Sequence, residues 1–161
     1  MEEFQLARAK AQEKFKVADH MLTQTYPLVK DPKLLVAVME NLFLALTNAM
    51  ASVLYYERTF KRIPPFVENF ENKFDLFKQK CVPRYKLNKE YTQLISRIKE
   101  AVLAHRTSPV EFTREGNFVI CSDNYKLKTI SVEQIKQYIG QTKTFLKETN
   151  AIVRKNERIF E

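Results

Sequence analysis

The sequence predicts a mainly α protein, an antiparallel bundle of about five helices with a small β-hairpin or three-stranded insert. Only two glycines and six prolines occur among 161 residues, so long uninterrupted helices are available. Apolar residues recur at gaps of three and four over most of the chain, which is the helical period. One segment, at about 110–130, alternates with a period of two instead. A chain of this length fits one domain, which we expect to cover residues 1–161.

The first helix is predicted from about Glu2 to Tyr26. One face of this segment is lined by apolar residues at helical spacing: Phe4, Ala7, Ala11, Phe15, Ala18, Leu22 and Tyr26. Pro27 is expected to end the helix, because the residue before a proline is disfavoured in the α conformation. The short connection that follows predicts an antiparallel hairpin with the next helix.

The second helix is predicted from Asp31-Pro32 to about Arg62 and contains the most apolar part of the chain. Residues 34–56 include no Lys, Arg, Gly or Pro. This length would suffice for a membrane span. Polar side chains nevertheless interrupt the segment at roughly helical spacing: Glu40, Asn41, Thr47, Asn48 and Ser52. We therefore expect a central core helix and no membrane partner.

Prolines separate the next two helices. Pro64-Pro65 breaks the chain, and a third helix is expected to begin with an aromatic ridge at four-, four-, three- and four-residue gaps: Phe66, Phe70, Phe74, Phe77 and Cys81. Pro83 punctuates the chain again. A fourth helix is predicted from about Lys89 to Arg106, because Asn88 can cap its first turn.

The alternating segment predicts a small sheet before the last helix. Val110 and Phe112 alternate on one side of Glu115-Gly116, and a second turn is expected at residues 122–124. Ser131 and Gln134 then match a capping box at the start of a fifth helix. We expect this helix to run from Val132 to about Glu157, with Ile159 also inward. Gly140 within it is either a close crossing point or a tolerated surface glycine.

The net charge of +8 is concentrated in the middle and at the C-terminal end of the chain. Residues 73–106 hold nine basic and three acidic residues. Such a basic sector attracts RNA phosphates or an acidic protein through a salt-sensitive field, and an ordinary solvated lysine-rich surface is the alternative. The candidate binding residues are Lys78, Lys80, Arg84, Lys86 and Lys89.

The composition argues against several kinds of chemistry, and we expect neither metal nor cofactor. His20 and His105 are the only histidines, and Cys81 and Cys121 lack metal-ligand spacing. Two distant glycines cannot form a phosphate-binding loop. The two thiols are expected to be free, and the charged first residues lack the apolar core of a secretory signal. We therefore predict a cytoplasmic protein.

Two small groups of residues are candidate sites. His105 and Arg106 close the fourth helix, and Arg97 precedes them by about two turns. A histidine can transfer protons near neutral pH and an arginine can stabilise phosphoryl charge, so this group is the candidate catalytic site. His105 could instead simply interact with the free carbonyls of the helix end.

The second group is a buried polar seam on the second helix, formed by Glu40, Asn41 and Asn48. A carboxylate within an apolar helix must be paired or lie at an opening. Such a seam would set the helix register or a homodimer interface. A ligand groove is the alternative.

The helix pattern also resembles a known family. A long first helix carrying Ala18-Asp19-His20, a short loop, and a very apolar second helix followed by further antiparallel helices are similar to the HEPN (higher eukaryotes and prokaryotes nucleotide-binding) superfamily. The resemblance covers about residues 1–106 and 131–157. It implies a compact bundle, frequent homodimerisation and, in many members, a ribonuclease site with four to six residues between an arginine and a histidine. Here seven residues separate Arg97 and His105, and the strand segment is a further departure.

Three functions are compatible with these observations. The first is a non-enzymatic protein that binds RNA or an acidic protein through the basic sector. The second is a HEPN-like, metal-independent ribonuclease that uses His105 with Arg97 or Arg106. The third is a structural or antitoxin-like protein-interaction module, which an exposed apolar patch on the β insert would favour.

Overall fold

A computed structural model describes residues 1–108, 110–122 and 124–155. Within these residues the mainly α prediction is confirmed, with five helices and one small antiparallel sheet. The elements are α1 (Glu3–His20), α2 (Lys33–Thr59), α3 (Phe70–Leu76), α4 (Glu90–Thr107), β1 (Val110–Arg114), β2 (Asn117–Cys121), β3 (Leu127–Ile130) and α5 (Val132–Arg154). Two of the helices, α1 and α3, continue beyond these bounds through a π-helical turn.

The central helix is α2, as predicted. It packs against α1, α4 and α5, and its buried side chains include Leu42, Leu46 and Leu54. By length and composition alone α2 could cross a membrane, since its best 18-residue window has a mean hydropathy of 1.7. Of that window 56% is buried inside the protein. The core helix of a soluble bundle passes the same test, and the absence of a membrane partner stays a prediction.

The prolines at positions 27 and 83 do not end their helices, which corrects the prediction for Pro27. In α1 a π-helical turn at Met21–Thr25 precedes a last α turn at Tyr26–Val29. In α3 the turn at Phe77–Cys81 likewise precedes Val82–Tyr85. A proline lacks an N–H and its ring crowds the carbonyl four residues earlier, and the wider turn just before each proline accommodates both effects.

The start of α3 also differs from the prediction. Phe66 lies in the loop before the helix, where its ring stacks on Tyr55 at 6.0 Å between ring centroids. The helix begins after Asn69, whose side chain accepts a hydrogen bond from the backbone N–H of Asn72 at 2.8 Å. A side-chain cap of this kind sets the first residue of a helix more strongly than aromatic spacing does.

The insert is a three-stranded meander in the order β1-β2-β3. Glu115 and Gly116 form the predicted tight turn, with φ values of 52° and 80°. One face of the sheet joins the core through Phe118, Ile120 and Ile130. Pro109 and Asp123, the latter in the predicted second turn, lie outside the described residues.

Ser131 caps α5 as predicted, because its Oγ accepts from the N–H of Gln134 at 3.2 Å. The reciprocal half of the capping box is replaced: the side-chain amide of Gln134 donates to the hydroxyl of Tyr138 at 3.0 Å. The helix ends at Arg154. The predicted positions Glu157 and Ile159 lie outside the described residues.

Candidate nucleic-acid interface and neighbouring sites

The predicted polar seam on α2 is partly exposed rather than buried. The amides of Asn41 and Asn48 donate to the carbonyls of Ala37 and Leu44 in the same helix, at 2.9 and 2.7 Å. Back-bonding of this kind satisfies an amide donor without a neighbouring helix, so the three polar side chains can share a half-exposed stripe. This corrects the prediction of a buried seam. The homodimer that it suggested stays a prediction.

The acid that α2 does bury is Glu57, which the sequence analysis missed. Glu57 is 0% exposed. Its carboxylate accepts from the Tyr85 hydroxyl and lies 3.5 Å from Arg62 Nη1 and 3.6 Å from Arg84 Nε. The available signal was an acidic residue directly after the apolar segment. Because α2, the following loop and the end of α3 all contribute, this cluster joins them.

The same burial makes two neighbours of Glu57 hard to ionise. Burial raises the pKa of the Cys81 thiol to about 12, and the charge of Glu57 adds to the shift. Burial, together with the contact to Glu57, also raises the pKa of Tyr85 to about 12. Both groups stay neutral near pH 7, and Cys81 lacks the thiolate that nucleophilic chemistry needs.

A second ionic cluster holds the loop before α3 against α2. Lys73 Nζ lies 2.6 Å from Glu68 Oε2 and donates to the Tyr55 hydroxyl at 2.9 Å. Burial opposes the charge on Lys73, but its contacts with Glu68 and Tyr55 raise its pKa overall. Arg58 stacks over the Tyr55 ring at 4.9 Å and also pairs with Glu68. Arg58 also pairs with Glu3, so the two cations of this cluster are matched by two carboxylates within the protein.

His105 lies between two carboxylates at the junction of α2, α4 and β1. Its Nδ1 donates to Oε2 of Glu111 at 2.6 Å, and its Nε2 lies 3.7 Å from Oε1 of Glu40. The ring meets Phe118 edge-on at 6.2 Å between centroids. Finding Glu111 required knowledge of how the sheet docks, which the sequence pattern does not contain.

The structure does not bring the three candidate catalytic residues into one site. Eight residues of helix place Arg97 about 12 Å from His105 along the axis of α4. Arg97 lies near Tyr138 on α5, whereas His105 faces Glu40 and Glu111. Arg106 is exposed, and in the part of the chain that the structure describes it forms no ion pair.

Arg97 instead shares a groove with one of the predicted binding lysines. A cavity of about 310 Å³ between α3 and α4 is lined by Phe74, Lys78, Thr92, Gln93, Ser96 and Arg97. We call this the α3–α4 groove. Lys78 Nζ stands 4.4 Å from the centre of the Phe74 ring and 3.6 Å from Asp75 Oδ1. The groove therefore presents one cation from each of two helices, of which Lys78 is partly engaged by Asp75, together with hydroxyl and amide groups.

The other predicted binding residues are exposed but lie outside the groove. Lys80 belongs to the π-helical turn of α3, and Lys86 and Lys89 belong to the connection between α3 and α4. Arg84 differs, because its guanidinium is partly engaged by Glu57. The five candidate binding residues thus divide into Lys78 in the groove and four cations outside it.

A second cavity, of about 250 Å³, lies between α4, α5 and β3. Its polar lining consists of Arg97, Glu100, Lys128, Thr129, Gln134 and Tyr138. We call this the Tyr138 pocket. Lys128 Nζ lies 3.4 Å from Glu100 Oε2. Because Arg97 lines both cavities, the pocket and the α3–α4 groove are adjacent.

The outer face of the sheet carries exposed apolar side chains around the buried Val119. Strand alternation places Val110, Phe112 and Leu127 on the face opposite the core, and they are 54%, 39% and 58% exposed. Arg114 lies on the same face of β1, and Lys126 directly precedes β3. The patch is therefore apolar with a cationic rim.

Among residues 1–108, 110–122 and 124–155, no group of three or more His, Cys, Asp or Glu side chains could hold a metal ion. Comparison of the chain with protein-family models, curated proteins and solved structures finds no match in any of the three. The HEPN-like relationship accordingly stays a prediction from the helix pattern.

Proposed function

We propose that the protein binds RNA through its phosphate backbone, with the α3–α4 groove as the contact surface. The observation that carries this proposal is that Lys78 from one helix and Arg97 from another line the same groove. Arg and Lys supply charge, and Ser, Thr and Gln side chains supply the further hydrogen bonds that phosphates commonly receive. Lys80, Lys86 and Lys89 extend the positive field beyond the groove.

The composition of the groove favours a nucleic acid over a protein partner. Protein interfaces have an apolar centre with a polar rim. The groove lacks an exposed aromatic centre: polar and cationic side chains line it, and its one aromatic ring, Phe74, is 6% exposed. A phosphate backbone can accept hydrogen bonds from the cationic, hydroxyl and amide groups of such a surface.

Binding without cleavage fits the surroundings of His105 better than a ribonuclease does. A phosphodiester beside His105 would approach two carboxylates, those of Glu40 and Glu111. Like charges at short range oppose that approach. Arg97, which the ribonuclease hypothesis uses to stabilise the phosphate, lies near the Tyr138 pocket instead.

The test is the affinity for a labelled single-stranded RNA of mixed sequence, measured by fluorescence anisotropy in EDTA. We expect the double variant Lys78→Met and Arg97→Met to bind at least tenfold more weakly, because two phosphate contacts are lost. The matched control is Lys136→Met with Lys143→Met. It removes the same charge from the exposed surface of α5.

Equal losses in the two double variants would contradict the proposal, because they would indicate net charge rather than the groove. Absence of RNA binding by the wild type would contradict it outright. The integrity of the RNA is checked in the same samples. Cleavage that disappears in His105→Ala would favour the ribonuclease alternative.

A protein-interaction role is the second candidate, because the β insert carries the exposed patch that favours it. The cationic rim at Arg114 and Lys126 suits an acidic protein whose apolar residues cover Val110, Phe112 and Leu127. Phe112→Ser would weaken capture of such a partner and leave RNA affinity unchanged. Capture of the partner by this variant as strong as by the wild type would show that the patch is not the docking surface.

A further inference from the structure

One wall of the Tyr138 pocket carries a hydrogen-bond donor, the Tyr138 hydroxyl. Tyr138 is 7% exposed, and its hydroxyl accepts from the amide of Gln134 at 3.0 Å. No acceptor for the hydroxyl hydrogen is found among the described residues. Exchanging the amide oxygen and nitrogen of Gln134 does not remove the imbalance, because the Gln134 N–H groups then lack the acceptor. In either orientation a donor is left over at a pocket wall.

The charges around this donor are unequal in sign. Glu100 and Lys128 form an ion pair at 3.4 Å and largely compensate each other. Arg97 has no carboxylate partner within the described residues, so the pocket has an excess of one positive charge. Burial raises the pKa of Tyr138, and the nearby Arg97 partly offsets this rise. The tyrosine is therefore neutral and able to donate at pH 7.

The donors come from three elements rather than from one plane. Arg97 projects from α4, Lys128 from β3, and Gln134 and Tyr138 from α5. A carboxylate uses two coplanar oxygens, whereas a phosphate monoester has three terminal oxygens directed apart. A planar guanidinium also pairs well with two phosphate oxygens at once. The arrangement thus suits a tetrahedral anion.

We propose that the Tyr138 pocket binds a phosphate monoester, with Arg97 and Tyr138 as its principal contacts. The pocket combines α4 and α5, which belong to the part of the chain that resembles the HEPN pattern, with β3, which does not. Its volume of about 250 Å³ admits the phosphate and part of the group that carries it. Two sources of this chemistry exist: a free phosphorylated small molecule, or the terminal phosphate of an RNA in the α3–α4 groove. Only the second source rests on the proposed function.

The first experiment is a titration of the ¹⁵N-labelled protein with inorganic phosphate at constant ionic strength, followed by ¹H–¹⁵N NMR. We expect saturable shifts of the Thr129 and Gln134 amides in the wild type. Tyr138→Phe, which keeps the ring, should bind about tenfold more weakly, because a hydrogen bond to a charged ligand is lost. Arg97→Met should abolish saturation. Lys143→Met, with the same charge change outside the pocket, should bind like the wild type.

Shifts that grow linearly and spread over the basic surface would overturn the proposal, and so would equal affinity in the wild type and Tyr138→Phe. Because Arg97 is exposed and forms no ion pair within the described residues, Arg97→Met is expected to fold. The test therefore does not depend on Tyr138→Phe alone.

The second experiment compares RNAs of one sequence with a 5′-phosphate and with a 5′-hydroxyl. Tighter binding of the phosphorylated RNA, absent in Tyr138→Phe, supports the pocket and identifies the RNA end as its ligand. Saturation by inorganic phosphate without a difference between the RNAs supports the pocket with a free ligand. Phosphate saturation without any RNA binding overturns the proposed function alone. RNA binding without phosphate saturation overturns the pocket alone.

Discussion

At the scale of single residues, Glu57 is the one charged side chain that is buried among the described residues. Its carboxylate is fully buried, accepts a hydrogen bond from Tyr85 and forms ion pairs with Arg62 and Arg84. A buried charge depends on its partners, and the partners in turn depend on the charge.

Glu57→Ala should therefore lower the free energy of unfolding by about 1–3 kcal/mol, because the Tyr85 hydroxyl loses its acceptor and two partly exposed arginines lose their counter-charge. Glu57→Gln, which keeps the shape of the side chain and one acceptor oxygen, should lower the free energy of unfolding by less. Urea unfolding of the variants measures both effects, with Glu13→Ala on the exposed side of α1 as the control. A loss in Glu57→Ala no larger than in the control would show that the cluster is not stabilising.

Cys81 makes stability depend on pH in the alkaline range. Its pKa is raised from 9.0 to about 12 in the folded protein. Between these values the unfolded chain loses the thiol proton first. The contribution of Cys81 to the free energy of unfolding is therefore fully present below about pH 9 and is lost as the pH rises toward 12. The slope from this one group is at most about 1.4 kcal/mol per pH unit.

We expect Cys81→Ala to flatten this dependence, as measured by urea unfolding at pH 8 and pH 10.5. Tyr85 contributes a similar alkaline loss from pH 10 upward and remains in the variant. Cys121, which is only partly buried, is the control position. Identical pH profiles for Cys81→Ala and the wild type would contradict the assignment.

At the scale of elements, periodicity predicted which segments are helical but not how each one ends. Apolar spacing identified α2, α4 and α5 because packing against a core requires that spacing. The ends depend on local hydrogen bonds. Asn69 caps α3 after Phe66, and π-helical turns carry two helices past Pro27 and Pro83. A proline rule based on α geometry alone cannot anticipate a wider turn.

Gly140 is the position in α5 where the two interpretations from sequence are now separable. A Cβ added there meets no atom within 4 Å, so this glycine is a surface glycine and not a crossing point. Gly140→Ala should raise the free energy of unfolding by about 0.5–1 kcal/mol through lower backbone entropy in the unfolded chain.

The matched control is Ala151→Gly, an exposed position in the same helix, which should lower the free energy of unfolding by a similar amount. Thermal or urea unfolding measures both changes. Destabilisation by Gly140→Ala would indicate a close contact at this position.

At the scale of the whole molecule, α2 organises the fold. Leu46 is 0% exposed and Leu44, two residues earlier, is 39% exposed. Leu46→Ala should lower the free energy of unfolding by about 2–5 kcal/mol, because it leaves a cavity in the core. Leu44→Ala leaves no such cavity and should lower it by less than about 1 kcal/mol. Urea unfolding of the two variants compares one chemical change on opposite sides of α2. Similar losses would contradict the central position of this helix.

The candidate site was less predictable than the fold, for a reason that the residues show. Charge composition identified the basic sector, since like charges cluster along the chain. That Lys78 and Arg97 line one groove depends instead on how α3 packs against α4. The hydrogen bond between His105 and Glu111 depends on how β1 docks. Neither is local, so spacing along α4 wrongly grouped Arg97 with His105.

The most direct test of the central claim is the salt dependence of RNA affinity. For single-stranded RNA each neutralised phosphate contributes about 0.7 to the slope of log K against log salt. The account predicts that Lys78→Met with Arg97→Met lowers the magnitude of this slope by about 1.4, whereas Lys136→Met with Lys143→Met leaves it unchanged. A slope that is the same in the wild type and in the groove variant would contradict RNA binding through the α3–α4 groove.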